Sequence, residues 1–307
     1  MIWQLDTLLL GAATAAAGVF GLRWLAHQAM LRALRAPRVP HDQGPLDLGL
    51  PADAVREVEI AGMRGKRLFA WLVTPDVAVP APHPAVLVMH GWGSNAAMML
   101  PVVAPLRDAG FAVLLLDARC HGRSDDEDFA SMPRFAEDIS SGLAFLRAQP
   151  GIDPGRIALI GHSVGAAAAL LHASRHDDVR AVVSLSAFAH PREIMRGWMA
   201  AKHVPHWPIG WWVLRHVEHV IGASFDVIAP LATVARVRCP VLLVHGRRDD
   251  TVPFADAERL AAAASRARVL AVDGDHDLRD ALAPRAGELV AFLRAACAAD
   301  RPAFTPA

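Results

Sequence analysis

From residue 55 onward, short apolar and β-branched runs alternate with longer Ala- and Leu-rich stretches of helical period. Candidate strands are VREVEI (55–60), RLFAWLVT (67–74), AVLVMH (85–90), FAVLLLD (111–117), RIALIG (156–161), VRAVVSLS (179–186), PVLLVHG (240–246) and RVLAVDG (268–274). From residue 85 most of these runs are continuously apolar, the pattern of strands buried on both faces of a parallel sheet. Helices fit between them at about 96–109, 133–149, 164–175, 254–266 and 284–298. No helix separates the first two strands, which predicts an antiparallel hairpin at one edge. The repeated strand–helix unit predicts an α/β fold: a doubly wound, mostly parallel eight-stranded sheet with helices on both faces. Between Ser186 and Pro240 the rhythm breaks for about fifty residues, too long for an ordinary loop, and residues 187–238 read as an inserted helical lid.

The chain then divides into a hydrophobic N-terminal segment (1–36), a Pro- and Gly-rich linker (37–54), the α/β domain (55–298) and a tail (299–307). Residues 8–22 carry no charge and are bounded by Asp6 and Arg23. A spanning helix needs about 20 apolar residues, which Ile2–Leu22 supplies if Asp6 is tolerated near one end. No positively charged region precedes it, unlike a secretory signal peptide. Arg23, Arg32, Arg35 and Arg38 follow it, so the positive-inside rule leaves the rest of the chain in the cytoplasm. The expectation is membrane association through residues 2–30, as a single N-terminal transmembrane helix. The alternative is an Ala-rich helix packed on the domain or lying on a membrane surface.

Charge narrows the function classes. Thirty-one basic residues balance thirty-one acidic ones, which argues against nucleic acid as a partner, because such binding neutralises many phosphates. The three cysteines, Cys120, Cys239 and Cys297, are too scattered for a disulfide framework and form no CxxC pair. The pairs His203/His206 and His216/His219 lack a HExxH frame or a clustered third ligand, so no metal is implied.

The candidate chemistry sits at strand ends. Gly161-His162-Ser163-Val164-Gly165 directly follows RIALI and precedes AAAALLHAS, the strand–turn–helix context in which a strained turn holds a serine hydroxyl clear of the sheet. Such a serine needs a base and a partner that orients the base. Asp249, with Asp250 beside it, follows the strand PVLLVHG, and His276 follows RVLAVDG. All three lie on the sheet edge where open α/β sheets place their sites, in the chain order Ser, Asp, His. His90-Gly91-Trp92-Gly93 follows AVLVMH, and its glycines let the Trp92 N–H join that of Val164 in a two-donor oxyanion hole.

Together, HGWG, DARCHGRS (117–124), GHSVG, HGRRDDTVP and GDHDL resemble the α/β-hydrolase family across about 55–298, within it the serine-aminopeptidase and monoacylglycerol-lipase-like branch of esterases. The resemblance implies Ser163 as nucleophile, Asp249 as acid, His276 as base, Trp92 and Val164 as oxyanion donors, and no cofactor. Serine at the elbow speaks against the haloalkane-dehalogenase and epoxide-hydrolase branches, which use aspartate there. Trp92 would also place its ring beside the substrate. Asp117 reads as structural, and His90 and His245 as hydrogen-bonded supports. His162 is expected to point to the opposite side of the turn as a packing residue. Trp198, Trp207, Trp211 and Trp212 form either a wall for an acyl chain or the lid's own core. The expected activity is hydrolysis of a small-molecule carboxylic ester, lipid-like or of medium chain. The alternatives are an acyltransferase, thioesterase or amide-cleaving peptidase on the same site, and a non-catalytic membrane-tethered binding module.

Overall fold

The apolar runs pair side by side into one eight-stranded sheet, ordered β1-β2-β4-β3-β5-β6-β7-β8, in a computed structural model that describes residues 2–76 and 80–298. The strands are β1 (Val55–Ala61), β2 (Arg67–Val73), β3 (His83–Met89), β4 (Ala112–Leu116), β5 (Ile152–His162), β6 (Val182–Leu185), β7 (Val241–Gly246) and β8 (Ala267–Val272). β1 and β2 form the antiparallel edge hairpin, β2 runs antiparallel to β4, and every later pairing is parallel. The expected α/β-hydrolase architecture is therefore present.

Two-sided burial explains why the strands read as unbroken apolar runs. Leu87, Met89, Leu114, Leu116 and Leu159 face Phe135 and Ile139 of α3 (Met132–Arg147) and Leu170 of α4 (Val164–Ala173). Their neighbours Val86, Val88, Val113, Leu115 and Ile160 face Leu106 of α2 (Val103–Asp108) and Leu289 and Leu293 of α11 (Ala286–Ala298). Between β6 and β7 the chain forms α5 (Pro191–Ala201), α6 (Trp211–Ile221), α7 (Phe225–Ile228) and α8 (Pro230–Val234). α9 (Phe254–Ala263) follows β7, and the short α10 (Arg279–Leu282) follows β8.

The N-terminal helix α1 (Ile2–Ala33) corrects the membrane expectation. Among the described residues no helix is long and apolar enough to cross a membrane. Side chains of residues 1–10, on which part of that expectation rested, lie outside the described set, as does the expected tail 299–307. The uncharged stretch 8–22 of this helix covers about 22 Å at 1.5 Å per residue, against an apolar bilayer core of about 30 Å. Gly, Ala and Thr fill most of that length, and Arg23 ends it. Beyond Arg23 the helix settles onto the protein. Met30 is buried in the core, His27 Nδ1 lies 3.2 Å from His216 Nε2 on α6, and the Leu34 carbonyl accepts from the Ala130 N–H at 3.1 Å.

Candidate active site

Ser163 stands alone between the end of β5 and the first residue of α4, at φ 51° and ψ −114°. That left-handed backbone is costly for a residue with a side chain and persists only where the surroundings over-determine it. They do here. The Ser163 N–H donates to the Leu185 carbonyl at 2.8 Å, and its own carbonyl accepts from Ala167 at 3.0 Å. A Cβ on Gly161 would lie 2.4 Å from the Gly165 carbonyl oxygen, and one on Gly165 only 2.3 Å from that of His90. The G-x-S-x-G spacing is thus a packing requirement of the turn, as well as a chemical one.

His276 brings its Nε2 to 3.1 Å from the Ser163 hydroxyl and its Nδ1 to 2.8 Å from Asp249 Oδ2. The Asp249 side chain is wholly buried; its Oδ1 accepts from the N–H groups of Thr251 at 3.0 Å and Val252 at 2.7 Å. Burial pushes this carboxyl upward, but hydrogen bonds from His245, His276 and Val252 outweigh it and hold the group far below the usual carboxylate range. An ionised Asp249 fixes the proton of His276 on Nδ1, leaving the Nε2 lone pair for the serine hydroxyl. Asp250, adjacent in sequence, instead sits exposed and bonds the Thr251 hydroxyl.

The turn after β3 packs directly on this elbow. A Cβ on Gly91 would lie 2.9 Å from His162 Nδ1 and 3.4 Å from Ser163 Cβ. His90 is a support: its Nε2 accepts from the Ala118 N–H at 3.1 Å, and burial lowers its pKa to about 3, which keeps it neutral. The Gly93 N–H is tied to His121 Nε2 at 3.1 Å, whereas the Trp92 N–H has no backbone partner among the described residues. Val164 opens α4, where helix N–H groups have no intrahelical acceptor.

A family model described as serine aminopeptidase, S33, matches residues 80–221. The uncharacterized protein Rv2307c of Mycobacterium tuberculosis is 30% identical over 263 residues, spanning 82% of this chain and 80% of that protein. The chain belongs to the α/β-hydrolase family. The fold of this hydrolase is shared by the Pyrococcus furiosus esterase Pf2001, with a TM-score of 0.67 at 22% identity over 85% of this chain and 97% of that one. Est1E of Butyrivibrio proteoclasticus with ferulic acid bound gives 0.63 at 21% identity, over 78% of this chain and the whole of that one.

Above Ser163 the hydrolase holds an open cleft of about 690 Å³. Gly91, Trp92 and Met98 line one side; Asp250, Asp275, Asp277 and Arg279 line another, with Arg279 paired to Asp277 at 2.6 Å. No residue of 187–238 lines the cleft among the described residues. Trp198, Trp207, Trp211 and Trp212 are neither a wall of this cleft nor a buried core: they are 42–70% exposed.

His162 also differs from expectation. Instead of turning away, its Nε2 lies 2.7 Å from the backbone carbonyl of His276, and the two rings are 5.0 Å apart. A carbonyl only accepts, so Nε2 carries the proton. Burial lowers the His162 pKa to about 4, keeping the ring neutral. His162 is therefore a positioning residue for the loop that carries His276. Replacing it with Leu should lower kcat roughly ten- to a hundredfold with little change in KM, the scale of a small misplacement of a reacting group. His162→Gln, which retains an N–H at similar reach, should recover part of the loss; equal loss in both variants, read by steady-state kinetics, would contradict the role.

Proposed function

We propose that this hydrolase cleaves carboxylic esters by a two-step acyl-enzyme route on Ser163. The observation carrying this reading is the Asp249–His276–Ser163 relay, with contacts of 2.8 and 3.1 Å beneath an open cleft. His276 Nε2 takes the hydroxyl proton as Ser163 Oγ attacks the ester carbonyl, and Asp249 stabilises the imidazolium that forms. The N–H groups of Val164 and Trp92 receive the oxyanion, each donor contributing roughly 3 to 4 kcal/mol to the transition state. His276 then protonates the departing alcohol. Water, activated by the same imidazole, attacks the acyl carbonyl and releases the acid.

A cleft of about 690 Å³ is of the size that takes a small-molecule ester, and the carboxylates of Asp250 and Asp275 disfavour an anionic one. The test combines labelling with turnover. A fluorophosphonate should modify Ser163, identified by peptide mass, and p-nitrophenyl esters from acetate to palmitate should be hydrolysed. A chain that is neither labelled nor active on any ester of the series would defeat the reading.

A further inference from the structure

The wall of the cleft that faces Ser163 from the N-terminal side comes from an unexpected place. Val39, Pro40, Asp42 and Gln43 line it, all from the extended segment that leaves α1 and precedes β1. A linker of this composition is ordinarily a passive connector, but this one is tied to the domain along its length. The Arg38 guanidinium donates to the carbonyls of Gly122 at 2.6 Å and Ser124 at 2.9 Å, and to the Asp126 carboxylate at 2.5 Å. Buried Asn95 donates from Nδ2 to the carbonyls of both Val39 and Pro40, at 2.9 and 3.0 Å. His41 meets the buried Asp117 carboxylate at 3.0 Å and packs against the Trp71 ring at 4.4 Å.

The same anchors hold the turn that carries Trp92. Asn95 Oδ1 accepts from the Ala97 N–H at 2.9 Å, and Asp117 Oδ1 accepts from the Ala96 N–H at 2.8 Å. Gly93, at φ +69°, leaves room for the Pro37 ring, which would lie 3.1 Å from any Cβ there. The strap and the Trp92 turn are thus fixed to one another through shared buried polar groups. Such groups are well defined in position because leaving any of them unpaired is costly.

We propose that the strap at residues 39–43, rather than the helices inserted between β6 and β7, sets which carbon chain the site accepts, and that Val39 is the side chain that meets it. Val39 and Pro40, held through their carbonyls by Asn95, line the cleft together with its other apolar residues Trp92, Ala97 and Met98. Asp42 and Gln43 continue the strap toward Arg279 and its acidic neighbours. A substrate with a carbon chain on one part of the ester lays that chain along Val39, while the inserted helices have no part in the selection. The inference rests on the esterase reading above and concerns only its specificity.

Asn95 is a poor position for a test, since it also caps the turn at Ala96–Val102. Val39 is a better one. In the full chain, Val39→Trp and Val39→Ala are compared with Leu46→Trp, which introduces the same side chain at an exposed position outside the cleft. Two ester series are measured: p-nitrophenyl esters of rising acyl length, and butyrates of rising alcohol length. Val39→Trp should lower the kcat/KM ratio of the eight-carbon to the two-carbon member at least about tenfold in one series, the scale on which pockets discriminate chain length. Val39→Ala should raise that ratio in the same series, and Leu46→Trp should leave it at the wild-type value. The series that responds identifies the part of the ester lying on the strap. Unchanged ratios in both series for both Val39 variants, in an active enzyme, would overturn the strap proposal and leave the esterase reading standing. A wild-type chain inert on all esters and unlabelled by fluorophosphonate would remove the esterase reading, and this inference with it.

Discussion

Ser163→Ala is expected to lower kcat for p-nitrophenyl ester hydrolysis by at least about a thousandfold, the scale seen when one member of a serine–histidine–aspartate unit is removed. The geometry gives the reason. His276 Nε2 has one function in this arrangement, to take the Oγ proton at 3.1 Å, and without the hydroxyl it has nothing to activate except water. Residual activity should then come from the oxyanion donors and the cleft alone. The substitution removes one oxygen from a backbone held at φ 51° by its neighbours, so the thermal midpoint should stay within a few degrees of wild type. Loss of rate with preserved stability separates a chemical role from a structural one. A mutant retaining more than about a tenth of wild-type kcat would place the nucleophile elsewhere.

Much of this was legible from residue pattern because burial and chemistry left local marks. Strands covered on both faces carry unbroken apolar runs, and the residue just past each run must lie at the sheet edge. Ser163, Asp249 and His276 could therefore be placed together before any contact was known. Position in the turn alone does not separate the adjacent acids Asp249 and Asp250, because a turn residue has no periodicity to say which way its side chain faces; the family resemblance is what selects Asp249. In the structure the Val252 N–H, His245 and His276 all meet the Asp249 carboxylate, whereas Asp250 faces outward. His162 was misjudged for a related reason: it occupies the last position of β5, where alternation ends and the turn takes over.

Two larger features were hidden for a different reason. The strap's anchors are long-range hydrogen bonds from Asn95, Asp117 and the 122–126 loop to an aperiodic Pro-rich segment. Such contacts leave no trace in composition. The tryptophans of the inserted helices announce an apolar surface, but composition does not say what that surface faces. Likewise, an Ala- and Gly-rich helix has the length of a spanning segment without the apolarity. The contacts of Met30 and His27 with the domain come from residues beyond the apolar stretch that had suggested a membrane.

Arg119→Met should destabilise the fold by about 3 to 5 kcal/mol, the usual consequence of removing one partner from a buried ion pair. Arg119 has no solvent exposure. Its guanidinium donates to Asp138 at 2.8 and 2.5 Å and to Glu127 at 3.0 Å, and its backbone N–H donates to Asp138 at 2.9 Å. Burial pushes the Asp138 carboxyl upward, and Arg119 supplies the opposing interactions. Methionine at 119 would leave a fully buried carboxylate facing an apolar chain. That carboxylate escapes the penalty by taking up a proton, so its folded pKa rises further above the unfolded value. A group so shifted contributes stability at low pH that is lost as pH rises through the folded pKa. The deficit of Arg119→Met, measured by urea unfolding, should accordingly be largest near pH 8 and shrink as the pH falls toward 4. Adding Asp138→Asn should recover much of it at pH 8, because the amide removes the buried charge while its oxygen still accepts from the Arg119 N–H. The same loop carries Asp117, which holds Ala96, and His121, which holds Gly93. The single variant should therefore also lose activity through the Trp92 turn. If the destabilisation is independent of pH and the double variant recovers nothing, Arg119 contributes by packing its alkyl stem, and the charge on Asp138 is not what the fold has to balance.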